Sequence, residues 1–149
     1  MTDAKTALGR KILAIKQEKK LTWEAIAAKL GYSPVWTCAA CLGQMSMTAE
    51  TAEKAALLFD LDAAETALLQ EIPYRGSLPN VVPTDPLIYR FYELVMVYGT
   101  TWKELIQEEF GDGIMSAIDF DMALERQPDQ KGDRVKITMS GKFLPYNRY

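Results

Sequence analysis

The sequence predicts an α+β protein in two parts: an all-helical domain over residues 1–72 and a small C-terminal α+β domain over residues 86–149, joined by a proline-rich linker over 73–85. Three observations carry this. A 3.6-residue apolar periodicity, with a capping residue before most helices, runs through the first part. Four prolines fall in the fourteen residues PYRGSLPNVVPTDP at 73–86, a composition that forbids regular helix and favours an extended path. Beyond Gly113, the residues Ile114, Ser116, Ile118, Phe120, Met122 and Leu124 alternate with Met115, Ala117, Asp119, Asp121, Ala123 and Glu125, which is the period of a strand.

Taken in order, the first helix covers roughly Ala4 to Lys19, with Ala7, Leu8, Lys11, Ile12 and Ile15 on one stripe. Thr22 caps a second helix that ends before Gly31. Ser33 followed by Pro34 opens a third, which stops at Gly43. Thr48 opens a fourth to about Phe59, and Asp62 with Glu65 forms a capping box for a fifth that ends near Gln70. After the linker, Thr84-Asp85-Pro86 starts a sixth helix, ended by Gly99, and Thr101 with Glu104 starts a seventh to about Phe110. Three short strands follow: Ile114 to Glu125, Arg134 to Met139, and, after a turn at Ser140-Gly141, Lys142 to Leu144. So thin a sheet is marginal alone and recruits a partner chain. The sixth helix points the same way. Between Pro86 and Tyr98 it is apolar or aromatic almost all round, which asks for burial on every face.

Composition narrows the chemistry. With 48% hydrophobic and 25% charged residues the chain is globular rather than disordered. The net charge of −3, spread without blocks of one sign, points to no polyanion partner. The N-terminus has no signal-peptide pattern and no run approaches the roughly 20 apolar residues of a membrane span, so the expected location is the cytoplasm, with no membrane partner. There is no histidine, which removes imidazole bases, Ser-His and Cys-His nucleophiles and His-liganded metals. Cys38 and Cys41 fall within a helix, lack the βαβ setting of a redox pair and the second ligand pair of a zinc site, and read as small buried hydrophobes.

The segment LTWEAIAAKLGYSPVWTCAACLGQ has the pattern of a helix-turn-helix of lambda-repressor type. Its would-be recognition helix carries no Lys, Arg, Asn or Gln between Ser33 and Leu42, the residues that grip phosphates and read base edges. A nucleic-acid partner is therefore not expected, and the bundle serves packing and assembly.

Two polar anomalies remain. Arg90 and Glu93 share a face of the apolar sixth helix at i and i+3. Arg before Glu is the poorer order for an intrahelical pair, and desolvation makes a purely structural bridge there costly. A structural pair and a functional one stand equally open. Ser116 shares a strand face with Ile114, Ile118 and Phe120, where its hydroxyl needs a partner. That partner is either the backbone or a bound anion, with the preceding Gly111-Asp112-Gly113 offering further backbone N–H groups or a simple turn.

These residues sit in PTDPLIYRFYELVMVYGTTWKELI followed by FGDGIMSAIDF, which resembles the cyanase (cyanate hydratase, cyanate lyase) family. The likeness extends to the closing GKFLP and, in pattern, across the helical domain. Met96 and the tail Tyr146-Asn147-Arg148-Tyr149 depart from the family pattern, away from the three positions above. The resemblance implies a repressor-like N-terminal domain and C-terminal strands intertwined between subunits. It further implies a homodecamer of five dimers, with sites shared between subunits and Arg90, Glu93 and Ser116 as the catalytic residues. It implies bicarbonate-dependent decomposition of cyanate to ammonia and carbon dioxide through carbamate, detoxifying cyanate and supplying nitrogen, with bicarbonate as co-substrate and no cofactor or metal. In that chemistry Arg90 and Ser116 bind the anions, while Glu93 either orients Arg90 or donates a proton toward the cyanate nitrogen. A DNA-binding regulator and a purely structural oligomer are the competing readings.

Overall fold

The computed structural model describes residues 3–149; the first two positions of the expected helical domain lie outside them. The chain divides into two compact units at Ser77/Leu78.

The first unit holds five helices: α1 (Ala4–Glu18), α2 (Trp23–Leu30), α3 (Pro34–Cys41), α4 (Ala49–Phe59) and α5 (Ala63–Gln70). The caps read from the sequence are made. Thr22 accepts from Ala25 N, Ser33 from Trp36 N and Thr48 from Thr51 N, each satisfying a backbone donor that a helix start leaves open. Asp62 and Glu65 close a reciprocal capping box on α5. Helix α4 ends without a glycine, on Asp60 at φ 53°, where Lys19 Nζ bonds both Asp60 Oδ2 (2.9 Å) and Leu58 O (2.8 Å).

One core fills this unit. Ile12, Ile26, Ala52, Ala55 and Phe59 are fully buried, with Leu8, Leu30, Ala40, Cys41 and Leu69 around them. Each large side chain among these contributes about 1.5–3 kcal/mol by leaving water. The stripe of α1 is rotated slightly from the expected one: Lys5, Leu8, Gly9 and Ile12 are buried, while Ala7 and Lys11 face out. Lys5 is admitted because its ammonium donates to Leu68 O (2.5 Å), in the last turn of α5, and to Glu71 O (2.7 Å), just past its end. Cys41 is buried and Cys38 half-buried, and burial pushes the Cys41 thiol up to about 12. Both behave as small hydrophobes rather than as reactive thiols.

The second unit is built differently from expectation in two places. Helix α6 runs unbroken over Pro86–Phe110, a length of roughly 37 Å at 1.5 Å per residue. Gly99 does not end it: an interior glycine costs only about 1 kcal/mol against alanine, which a helix of 25 residues tolerates. The Thr101–Glu104 capping box therefore does not form. The three expected strands are two, β1 (Gly113–Gln127) and β2 (Arg134–Pro145), paired as one antiparallel hairpin. Ser140-Gly141 is not a turn: β2 passes straight through it, opposite Phe120 and Asp121. The arrangement is α+β, a helical unit followed by a long helix and a hairpin.

Candidate active site

Arg90 and Glu93 lie one turn apart near the start of α6. Asp85 fixes that start by accepting from both Leu87 N and Ile88 N. Arg90 Nη1 stands 3.5 Å from Glu93 Oε2, with the two side chains 66% and 48% exposed. An exposed pair at that distance is worth about 0–1 kcal/mol. Among the described residues no hydrogen bond engages the guanidinium, whose carbon lies 5.9 Å from the centre of the Tyr89 ring. Glu93 thus restrains Arg90 without consuming its donors, and the fork stays open to an oxyanion.

The expectation that α6 is buried on every face is not met within one chain. None of its residues is buried, and Leu87, Val95, Val97 and Leu105 are all more than half exposed.

Ser116 is the one buried residue of the hairpin, and its surroundings differ from a regular strand face. Pairing runs Gly113↔Pro145, Ile114↔Leu144 and Met115↔Phe143, then resumes at Phe120↔Gly141. Residues 116–119 therefore bulge opposite Lys142 alone. The bulge breaks the alternation: Ser116 turns inward while Ile118 stands 98% exposed. Ser116 Oγ accepts from Ile118 N (3.0 Å) and Asp119 N (2.9 Å). A hydroxyl has two acceptor sites and one proton, so both acceptor sites are committed and the O–H remains as a donor. Accepting two N–H bonds polarises the hydroxyl and strengthens that donor. The backbone-bonded and anion-binding readings of Ser116 are thus compatible.

Gly111-Asp112-Gly113 serves local structure. Gly111 N donates to Gln107 O (2.9 Å) and closes α6, and Asp112 O accepts from Tyr146 N (3.0 Å). The Gly111 N–H is therefore not available as an anion donor. The chain brings Arg90 and Glu93 together, but no hydrogen bond or ion pair among the described residues joins Ser116 to either. The described residues contain no group of three or more Cys, Asp or Glu placed to hold a metal ion, and no described helix is long and apolar enough to cross a membrane.

Both units match known families. Residues 5–73 match the model described as cyanate hydratase, N-terminal, and residues 80–148 that described as the cyanate lyase C-terminal domain. A cyanate hydratase of Methylibium petroleiphilum is 66% identical over 139 residues, 93% of this chain and 95% of that protein. One of Albidiferax ferrireducens is 60% identical over the same shares. The crystal structure of cyanase from T. urticae superposes with a TM-score of 0.82 at 35% identity, covering 93% of this chain and 97% of that one.

Proposed function

The chain belongs to the cyanate lyase (cyanate hydratase) family, and from that premise we propose that it decomposes cyanate with bicarbonate, giving ammonia and carbon dioxide by way of carbamate. The observation that carries this is the Ser116 hydroxyl, buried with both acceptor sites filled and its proton left to donate, within the region that matches the cyanate lyase C-terminal domain.

Bicarbonate oxygen attacks the cyanate carbon, and the nitrogen takes up the bicarbonate proton together with a first proton from solvent. The adduct loses carbon dioxide and leaves carbamate, which takes a second proton and falls to ammonia and a second carbon dioxide. The obstacle is that two anions must meet. Arg90 supplies fixed charge and a planar fork of donors for an oxyanion. Ser116 donates to one anion and to the charge that develops as the carbon–oxygen bond forms. Glu93 holds Arg90 in line. Juxtaposing two small reactants in this way recovers on the order of 7–11 kcal/mol of barrier. No step asks for a metal or an organic cofactor.

Residues 86–149 act as the catalytic and dimerisation domain and 73–85 as its linker. The apolar side chains that α6 leaves exposed support burial against other copies, in a decamer of five dimers whose strands interlock and whose sites draw on several subunits. The setting is the cytoplasm, with cyanate detoxified and its nitrogen released as ammonia. The test is ammonia release from cyanate with and without added bicarbonate. Release that rises with bicarbonate is expected; none under either condition defeats the proposal, and release indifferent to bicarbonate defeats its co-substrate role.

A further inference from the structure

Gly141 lies on β2 directly across from the end of the Ser116 bulge, paired with Phe120. A Cβ at this position would overlap the Ser116 carbonyl oxygen and stand 2.6 Å from Met115 Cγ. Met115 is flexible and its thioether can move aside. The Ser116 carbonyl is backbone and moves only if the bulge moves. Gly141 is not among the residues of positive φ, so what glycine provides here is room, not backbone freedom. Gly31, Gly76, Gly111 and Gly132, by contrast, have positive φ and nothing within 4 Å of an added Cβ.

We propose that Gly141 is a positioning residue for Ser116: its bare Cα lets the 116–119 bulge settle onto β2, and that seat aims the Ser116 hydroxyl. The hydroxyl is held at only two points, Ile118 N and Asp119 N, and both belong to the bulge itself. The bulge and the hydroxyl therefore shift as one body when the seat is filled. A misplacement of about 1 Å at a reacting centre lowers turnover about 10²-fold. This rests on the reading of Ser116 as a donor to substrate.

The experiment is a double-mutant cycle of Gly141→Ala and Ser116→Ala, reading kcat and KM for ammonia release alongside the assembly state by light scattering. Gly141→Ala is expected to assemble as the parent does and to lose about 10² in kcat with little change in KM. Combined with Ser116→Ala, it is expected to lose no more than Ser116→Ala alone. Full activity in Ser116→Ala overturns the reading of Ser116 itself. Loss in Ser116→Ala with parental kcat in Gly141→Ala overturns the positioning role while leaving that reading intact. Additive losses in the double variant overturn it too, because they mean that Gly141 acts through packing. Should Gly141→Ala not assemble, Met115→Ile, which branches at Cβ beside the same gap, is read in its place. A kcat loss absent from the Ser116→Ala background supports the inference, and an unchanged kcat overturns it.

Discussion

In the proposed mechanism Arg90 acts through the shape of its charge as much as through its sign. Its guanidinium is restrained by Glu93 at 3.5 Å yet makes no hydrogen bond among the described residues, leaving a planar fork for an oxyanion. Arg90→Lys keeps the charge and removes the fork, so kcat/KM for ammonia release should fall on the order of 10²-fold; an unchanged kcat/KM would reject the bidentate role. Glu93 offers a sharper choice. If it only orients Arg90, Glu93→Gln lowers activity at every pH and leaves the shape of the pH–rate profile alone. Retained activity with a missing acid limb would instead assign Glu93 a transferred proton. The i, i+3 spacing made the first pair legible before any coordinates, because helix geometry is local. Ser116 was legible only as an anomaly, a hydroxyl on an apolar strand face. A backbone partner for its hydroxyl was one of the two readings open; the bulge that supplies it through Ile118 N and Asp119 N was not legible, because it forms against β2, distant in the sequence.

The same division between local and distant causes separates the elements. Helices α2 to α5 were readable because caps and periodicity agree within a few residues: Ser33 with Trp36, Thr48 with Thr51, Asp62 with Glu65. Two glycines do not break the elements that hold them. Gly99 sits inside α6 at modest cost, and Gly141 sits inside β2 because the bulge needs its space. A cap also sets a pH dependence. Glu65 accepts from Lys11 Nζ (2.6 Å) and from Asp62 N (3.0 Å), and these bonds, the lysine's first, hold its carboxyl below the ordinary 4.5. A depressed carboxyl in the folded state contributes stability that is present above 4.5 and lost as the pH falls through the lowered value. Glu65→Gln keeps an amide able to complete the box and removes the charge. Its thermal midpoint should lie below the parent's near pH 7, and the gap should narrow by about pH 3. A gap of the same size at both would show that the charge contributes nothing.

At the scale of the whole molecule, the two units are unequal in how much apolar surface each buries by itself. The first has a core led by Ile12, Ile26 and Phe59. In the second, α6 and the hairpin bury no apolar residue: they expose Leu87, Val97, Leu105, Ile118 and Leu124, and Ser116 is the only member of either that is buried. A two-stranded hairpin is marginal in water, and a helix apolar on most faces gains nothing from facing it. On the proposed assembly, apolar area covered by other copies supplies the stability of this unit, so its folding and assembly form one equilibrium that depends on protein concentration. Leu105 is 58% exposed within the chain and lies fifteen residues along α6 from Arg90 (105 − 90 = 15), about 22 Å at the helical rise. Leu105→Asp should break the assembly and abolish ammonia release together, although the residue is remote from the reacting groups on its own chain. Light scattering and the activity assay on the same fractions check this. A fully active parent protein travelling as a 16.8 kDa monomer would sink it, because the exposed face of α6 would then need no partner.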